Sequence, residues 1–247
     1  MDKTNEQLQN ELENLRKIVF RIMDFNFPDL DADIKLYNFI ADETVRRQLE
    51  LDYLKMMQTP ASNFNEYCHY SFFQIENLLN YYYTIRFQSK EELQQYFKFT
   101  NDPKEVVKTR VSEIPYSSKW SKFAQEFLQD GRIGSTNKKT INYDIQKIAY
   151  VRNSSIHRNS KDIQKYEDET FTKYQPIKTR KIDLDKRKKR GDRIPEEENL
   201  SKEEWDIFNV GNKIEFKRSE SFSLVKRRTA EFLKIIQPEI LKYQKED

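Results

Sequence analysis

Apolar residues recur along most of this chain at steps of three and four, the spacing of helices with one buried face. Leu8, Leu12, Leu15, Val19 and Ile22 alternate steps of four and three, which predicts a helix over about 5–25 with an apolar seam. Pro28 and the acidic run after it end this helix, and a second helical segment is expected over about 33–57. Pro60 marks a break. Asn63 and Glu66 then have the spacing of a capping box, a side-chain acceptor followed three residues later by a carboxylate. The helix that follows should reach about residue 86, with Phe64, Tyr67, Ser71, Ile75, Leu78 and Tyr82 on one face and Phe72, Leu79 and Tyr83 widening it. A face so broad and aromatic places this helix at the centre of a core.

Beyond it, Ser89 and Glu92 repeat the capping pattern for a short helix ending near Phe99. Asp102-Pro103 opens another, stopped by Pro115, and 118–128 should be helical with Trp120, Phe123 and Phe127 inward. Residues 130–139 hold two of the four glycines and read as a loop. From Thr140 a helix carries Ile141, Ile145, Ile148, Ala149 and Ile156, and a short one is expected over 160–174. Residues 175–200 combine many charges, two prolines and little periodicity, which predicts an exposed basic loop or insertion. Ser201 and Glu204 cap a helix bearing Trp205 and Phe208. Residues 210–217 read as extended or as a small hairpin arm, and a last helix starts near Ser219 and breaks or ends near Pro238. The expected fold class is all-α, with an N-terminal helical extension over 1–60 and a helical domain over 61–247.

Composition narrows the classes of function. Aromatics reach 13% against 34% charged residues, so the chain is wet but rich enough in rings to build a core. Four glycines leave no room for a phosphate loop or a dinucleotide fingerprint. One cysteine and two histidines exclude a disulfide framework and a soft-ligand zinc site. Cys68 reads as a small buried residue, His69 as part of the aromatic helix, and the acidic runs as solvated faces rather than metal cages. No metal and no organic cofactor is expected. A polar, acidic N-terminus and the lack of a long apolar run point to a cytoplasmic protein without a membrane span. The net charge is only +3, but residues 178–193 carry nine basic and three acidic residues. Lys186, Arg187, Lys188, Lys189 and Arg190 at their heart are candidates for holding an RNA backbone, with a solvated flexible loop as the plainer alternative.

The chemistry concentrates at Arg152 and His157. His157 follows Arg152 by five residues, at the end of a helix and in a polar Asn-Ser-Ser setting. An imidazole titrates near neutral pH and moves protons. A guanidinium is a permanent cation that grips phosphate through parallel hydrogen bonds. Together they suit metal-free cleavage of a phosphodiester. The plainer reading has both side chains binding the last carbonyls of their helix.

The segment Arg152-Asn153-Ser154-Ser155-Ile156-His157, late in a helix of an all-α chain, resembles the Arg, four-to-six residues, His motif of the HEPN superfamily. The helix containing Gln74-Ile75-Glu76-Asn77 resembles that family's first core helix, and the likeness extends over about 63–243. The resemblance implies a HEPN-like helical bundle, a homodimer with a composite cleft, and a metal-independent endoribonuclease of the toxin or anti-phage type. It implies catalytic roles for Arg152 and His157, a supporting role for Asn153, and an orienting role for Glu76. Arg158 joins the basic stretch as an RNA contact, and an antitoxin or defence-system protein is an implied partner. A Tyr close behind the His, the target of a neutralising nucleotidyltransferase in some toxins, is absent here, where Arg158-Asn159-Ser160 follows. Two alternatives remain. One is a catalytically inactive helical module that binds RNA or protein. The other is a structural protein assembled through the Leu8–Ile22 seam.

Overall fold

The computed structural model describes residues 35–97, 110–156 and 161–244. The expected helix over 5–25 and most of the one expected after Asp102 lie outside them. The fold is all-α. The described elements are α1 (Glu43–Gln58), α2 (Phe64–Arg86), α3 (Lys90–Tyr96), α4 (Tyr116–Phe127), α5 (Lys138–Ile156), α6 (Lys161–Lys189), α7 (Lys202–Ser219) and α8 (Phe222–Tyr243). Strands β1 (Arg132–Ile133) and β2 (Thr136–Asn137) form a small antiparallel hairpin inside the expected loop. No helix among the described residues is long and apolar enough to cross a membrane.

The described residues fall into two compact units. One contains those up to Ile148 and those from Phe222 onward, and the other spans Ala149–Ser221. In the first unit α2 is central. Every residue placed on its apolar face by periodicity is buried, Cys68 included. The start of α2 follows from its cap: Asn63 accepts the Glu66 N–H at 3.3 Å and its amide donates to the Glu66 carboxylate at 2.5 Å. Helices α1 and α8 both pack along α2. The α1 contact includes a polar set in which Gln48 and Asn77 donate to the two oxygens of the buried Asp52. Burial raises the Asp52 pKa above the usual carboxylate range, against the pull of those two bonds. Residues 43–58, part of the segment expected as an extension, therefore share the core of the helical domain. On the other side the Ser71 and Thr229 hydroxyls meet at 2.6 Å, and the rings of Phe64 and Tyr67 meet Phe222 edge-on.

The ends of α2 and α4 are tied by Arg86. Its guanidinium spans both Glu126 oxygens at 2.6 and 3.2 Å, while Tyr96 donates to the same carboxylate at 2.5 Å. The Tyr96 ring also lies 4.7 Å below the guanidinium. Burial pushes the Glu126 pKa up, but the bonds from Arg86 and Tyr96 prevail and hold it below the usual range.

The second unit corrects two expectations. Residues 175–189, expected as loop, continue α6 as one 29-residue helix to Lys189; only the segment after it, with a 3-10 turn over Glu196–Glu198, is irregular. Thr170, Tyr174, Ile177 and Leu184 are buried at helical spacing, and Pro176 sits on the exposed side, where water can take the carbonyl its ring leaves unbonded. Residues 210–217, expected as extended, belong to helix α7, initiated by the reciprocal Ser201–Glu204 capping box. In the same way α8 runs through the exposed Pro238 to Tyr243 rather than breaking there.

Helices α6 and α7 pack against each other. Gly211 sets how closely they approach: a Cβ there would stand 2.2 Å from Tyr174 Cγ. The fully buried Tyr174 donates to Glu215 at 2.7 Å and lies 3.0 Å from the Asn212 amide oxygen.

Gly211→Ala should therefore lower the stability of the α6–α7 pair by about 1–3 kcal/mol, the usual cost of overpacking, measured by urea unfolding against wild type. Glu126→Gln should lower the melting temperature at pH 7. A carboxylate with a depressed folded pKa contributes stability above its unfolded pKa of about 4.3. That contribution is lost as pH falls through the folded value, so the gap between wild type and variant should close in acid, read from melting curves between pH 7 and pH 2.5.

Candidate active site

Helix α5 starts where Asn137 accepts the Lys139 N–H at 2.8 Å. Its buried stripe of Ile141, Ile145, Ile148 and Val151 leaves Arg152 half-buried and Asn153 exposed in the last turns. Arg152 Nη1 donates to the Asn153 side-chain oxygen at 3.0 Å, so the two residues expected to act together are in contact. Ser154 turns its hydroxyl back onto the Val151 carbonyl at 3.0 Å. His157 and Arg158 lie outside the described residues.

The turn that carries Arg152 is braced within the second unit by side chains that the sequence did not single out. Tyr150 donates to Glu167 of α6 at 3.1 Å, and Lys217 of α7 donates to both oxygens of Glu167 at 2.8 Å. Glu167 is 3% exposed. Burial, then the adjacent Glu167 charge, raises the Tyr150 pKa far above the phenolic range, so Tyr150 stays a neutral donor. A second bridge joins Arg218 to Asp168 at 2.5 Å, with the guanidinium 4.1 Å from the Phe171 ring. Lys217 and Glu167, like Arg218 and Asp168, are 50 residues apart in sequence, and nothing local in the chain announces them.

Glu76, expected to orient Arg152, is half-buried on α2 in the first unit. There its charge acts on Tyr116 and Lys119 of α4. His69 packs edge-on against Phe73 at 4.2 Å, within the aromatic set of α2.

The basic stretch is less available than its sequence suggests. Arg187 pairs with Glu198, Lys188 donates to Asn199 at 3.3 Å, and Arg190 lies 3.2 Å from Asp192. Upstream, Lys178, Arg180 and Lys181 pair with Glu215, Glu204 and Asp185. Lys186, Arg187, Lys188 and Lys189 occupy the last turn of α6, where cations offset the helix dipole, and Glu203 and Glu204 do the reverse in the first turn of α7. Lys186 and Lys189 are exposed. Among the described residues, no three His, Cys, Asp or Glu side chains gather in a way that could hold a metal ion.

Lys217→Met should destabilise the second unit by about 2–3 kcal/mol, because it leaves the buried Glu167 carboxylate without its cation. Urea unfolding of the variant beside Tyr150→Phe, expected to lose only about 1 kcal/mol, checks the ranking. The chain matches no protein-family model, no curated protein and no solved structure at a significant level, so the site is read from its own residues.

Proposed function

We propose that this chain is a metal-independent endoribonuclease of the HEPN type. The observation that carries the proposal is the Arg152–Asn153 contact on the last turns of α5, which leads directly into His157. Asn153 accepts one guanidinium N–H and so limits the swing of Arg152. The planar fork of a guanidinium suits two oxygens of a phosphodiester. Charge accumulates on those oxygens as a ribose 2′-hydroxyl attacks phosphorus, and a fixed cation lowers that barrier. In this reading His157 takes the 2′-hydroxyl proton or gives one to the leaving 5′-oxygen, leaving a cyclic phosphate and a 5′-hydroxyl. Two chains would form the cleft, and the role would lie in toxin action or anti-phage defence, with an antitoxin or defence protein as partner.

The ion pairing of Lys178, Arg180, Lys181 and Arg187 lowers the share of phosphate binding expected of the basic stretch. Exposed Lys186 and Lys189 remain as general electrostatic contacts.

Purified wild type, Arg152→Ala and His157→Ala incubated with total RNA in EDTA supply the test. Wild type should cleave. Each variant should lose at least about a hundredfold in rate, the usual contribution of one positioned acid–base or charge-stabilising group. Equal cleavage by all three would place the nuclease elsewhere, and no cleavage by wild type, with or without cell extract, would leave the helical binding module as the better reading.

A further inference from the structure

The first unit contains a cleft of about 350 Å³ between the end of α2, the start of α3 and the 3-10 turn over Val111–Glu113. Among the described residues its lining includes two cations, Lys90 and Arg110, and no carboxylate. Phe87, Leu93 and Val111 supply an apolar wall, and Asn80 a polar one.

A third cation lies behind that wall. Lys119 is 2% exposed, yet its side chain reaches Asn80 and Val111, two of the residues that line the cleft. Its ammonium donates to the Asn80 side-chain oxygen and, at a long 3.4 Å, to the Val111 carbonyl. An ammonium has three protons, and these two bonds are its hydrogen bonds among the described residues. Burial depresses the Lys119 pKa, and the nearby Glu76 charge only partly offsets this. A buried cation with incomplete compensation favours an anion close by. Because the Asn80 oxygen accepts from Lys119, its amide N–H groups are left to donate elsewhere, so the polar wall too suits an acceptor-rich group.

We propose that this cleft binds a nucleoside monophosphate. Its volume lies at the lower end of small-molecule sites and suits a single nucleotide rather than a strand. The phosphate lies between Arg110, Lys90 and the Asn80 amide, with the Lys119 charge behind them. The base lies along Phe87 and Leu93, which a bare phosphate would leave uncovered. The site involves binding without hydrolysis, and it is independent of the ribonuclease reading, whose residues are in the other unit.

Isothermal titration of the full chain at low salt tests this, using each of the four ribonucleoside 5′-monophosphates, inorganic phosphate and adenosine. At least one nucleotide should bind saturably at one site per chain, phosphate more weakly and adenosine more weakly still. Arg110→Ala and Lys90→Ala alter exposed rim positions, and each should weaken the nucleotide by at least about tenfold, equal to 1.4 kcal/mol. Arg152→Ala and Arg187→Ala should bind as wild type does. Failure of all four nucleotides to bind, or binding unchanged in the Arg110→Ala, Lys90→Ala double variant, overturns the proposal. Phosphate binding as tightly as any nucleotide also overturns it, since the apolar wall would then have no role. Loss of binding in Arg152→Ala would assign the nucleotide to the proposed nuclease site instead.

Discussion

A guanidinium taken out of water is tolerated only when its charge is answered on the spot, and Arg228 is the place in the first unit where that condition is met. It is 5% exposed. Its Nε donates to Asp144 at 2.7 Å, and its Nη1 to Glu231 at 2.6 Å and to Thr136 at 3.3 Å. Thr136 in turn donates to the other Glu231 oxygen, and Lys147 to the other Asp144 oxygen. Two cations thus face two anions, and one set of bonds joins the β-hairpin, α5 and α8. Removing Arg228 would leave the buried Glu231 without its cation and Asp144 with Lys147 alone, a penalty of several kcal/mol, although an apolar replacement of the whole set could be as stable. What the network contributes is a defined rotation of α5, because only one rotation presents Asp144 to Arg228.

The parts of this architecture that could be read from sequence are those encoded by neighbours. Caps work over three residues, and Asn63 as an N-cap and Ser201 in a full capping box open α2 and α7 as their spacing indicates. The broad apolar face of α2 is a periodic signal over six turns, strong enough to survive any tertiary adjustment. The readings that failed did so where tertiary packing overrode a local sign. Pro176 and Pro238 are breakers by intrinsic propensity, but each lies on an exposed face of a helix whose opposite face is buried, so the helix continues through them. The alternation of Ile214 and Phe216 imitates a strand, while the decisive residue is Gly211, whose missing side chain admits Tyr174 from a helix thirty-seven residues earlier.

The candidate site divides along the same line. Arg152 and Asn153 are legible because they are adjacent and follow a clear apolar stripe. The Tyr150–Glu167–Lys217 brace is not, since a buried glutamate inside a charge-rich helix has the same local signature as a solvated one. The basic run from Lys186 to Arg190 shows the converse limit of local reading. Its composition suggests a free positive patch, but Glu198 and Asn199 follow just beyond the turn and fold back onto it. A run of like charge has meaning only together with what the next turn of chain brings against it.

The order of the units along the chain has a consequence for how the protein is made. The second unit is one continuous stretch, whereas α2 of the first unit waits for α8, and the Ser71–Thr229 bond closes over 158 residues. At roughly 5–20 residues per second, several seconds of translation separate the two halves of that core. Until α8 leaves the ribosome, the apolar face of α2 that it will cover stays open to chaperones or to a neighbouring nascent chain. The α6–α7 pair, by contrast, has all its partners in hand and can be complete before the unit that flanks it.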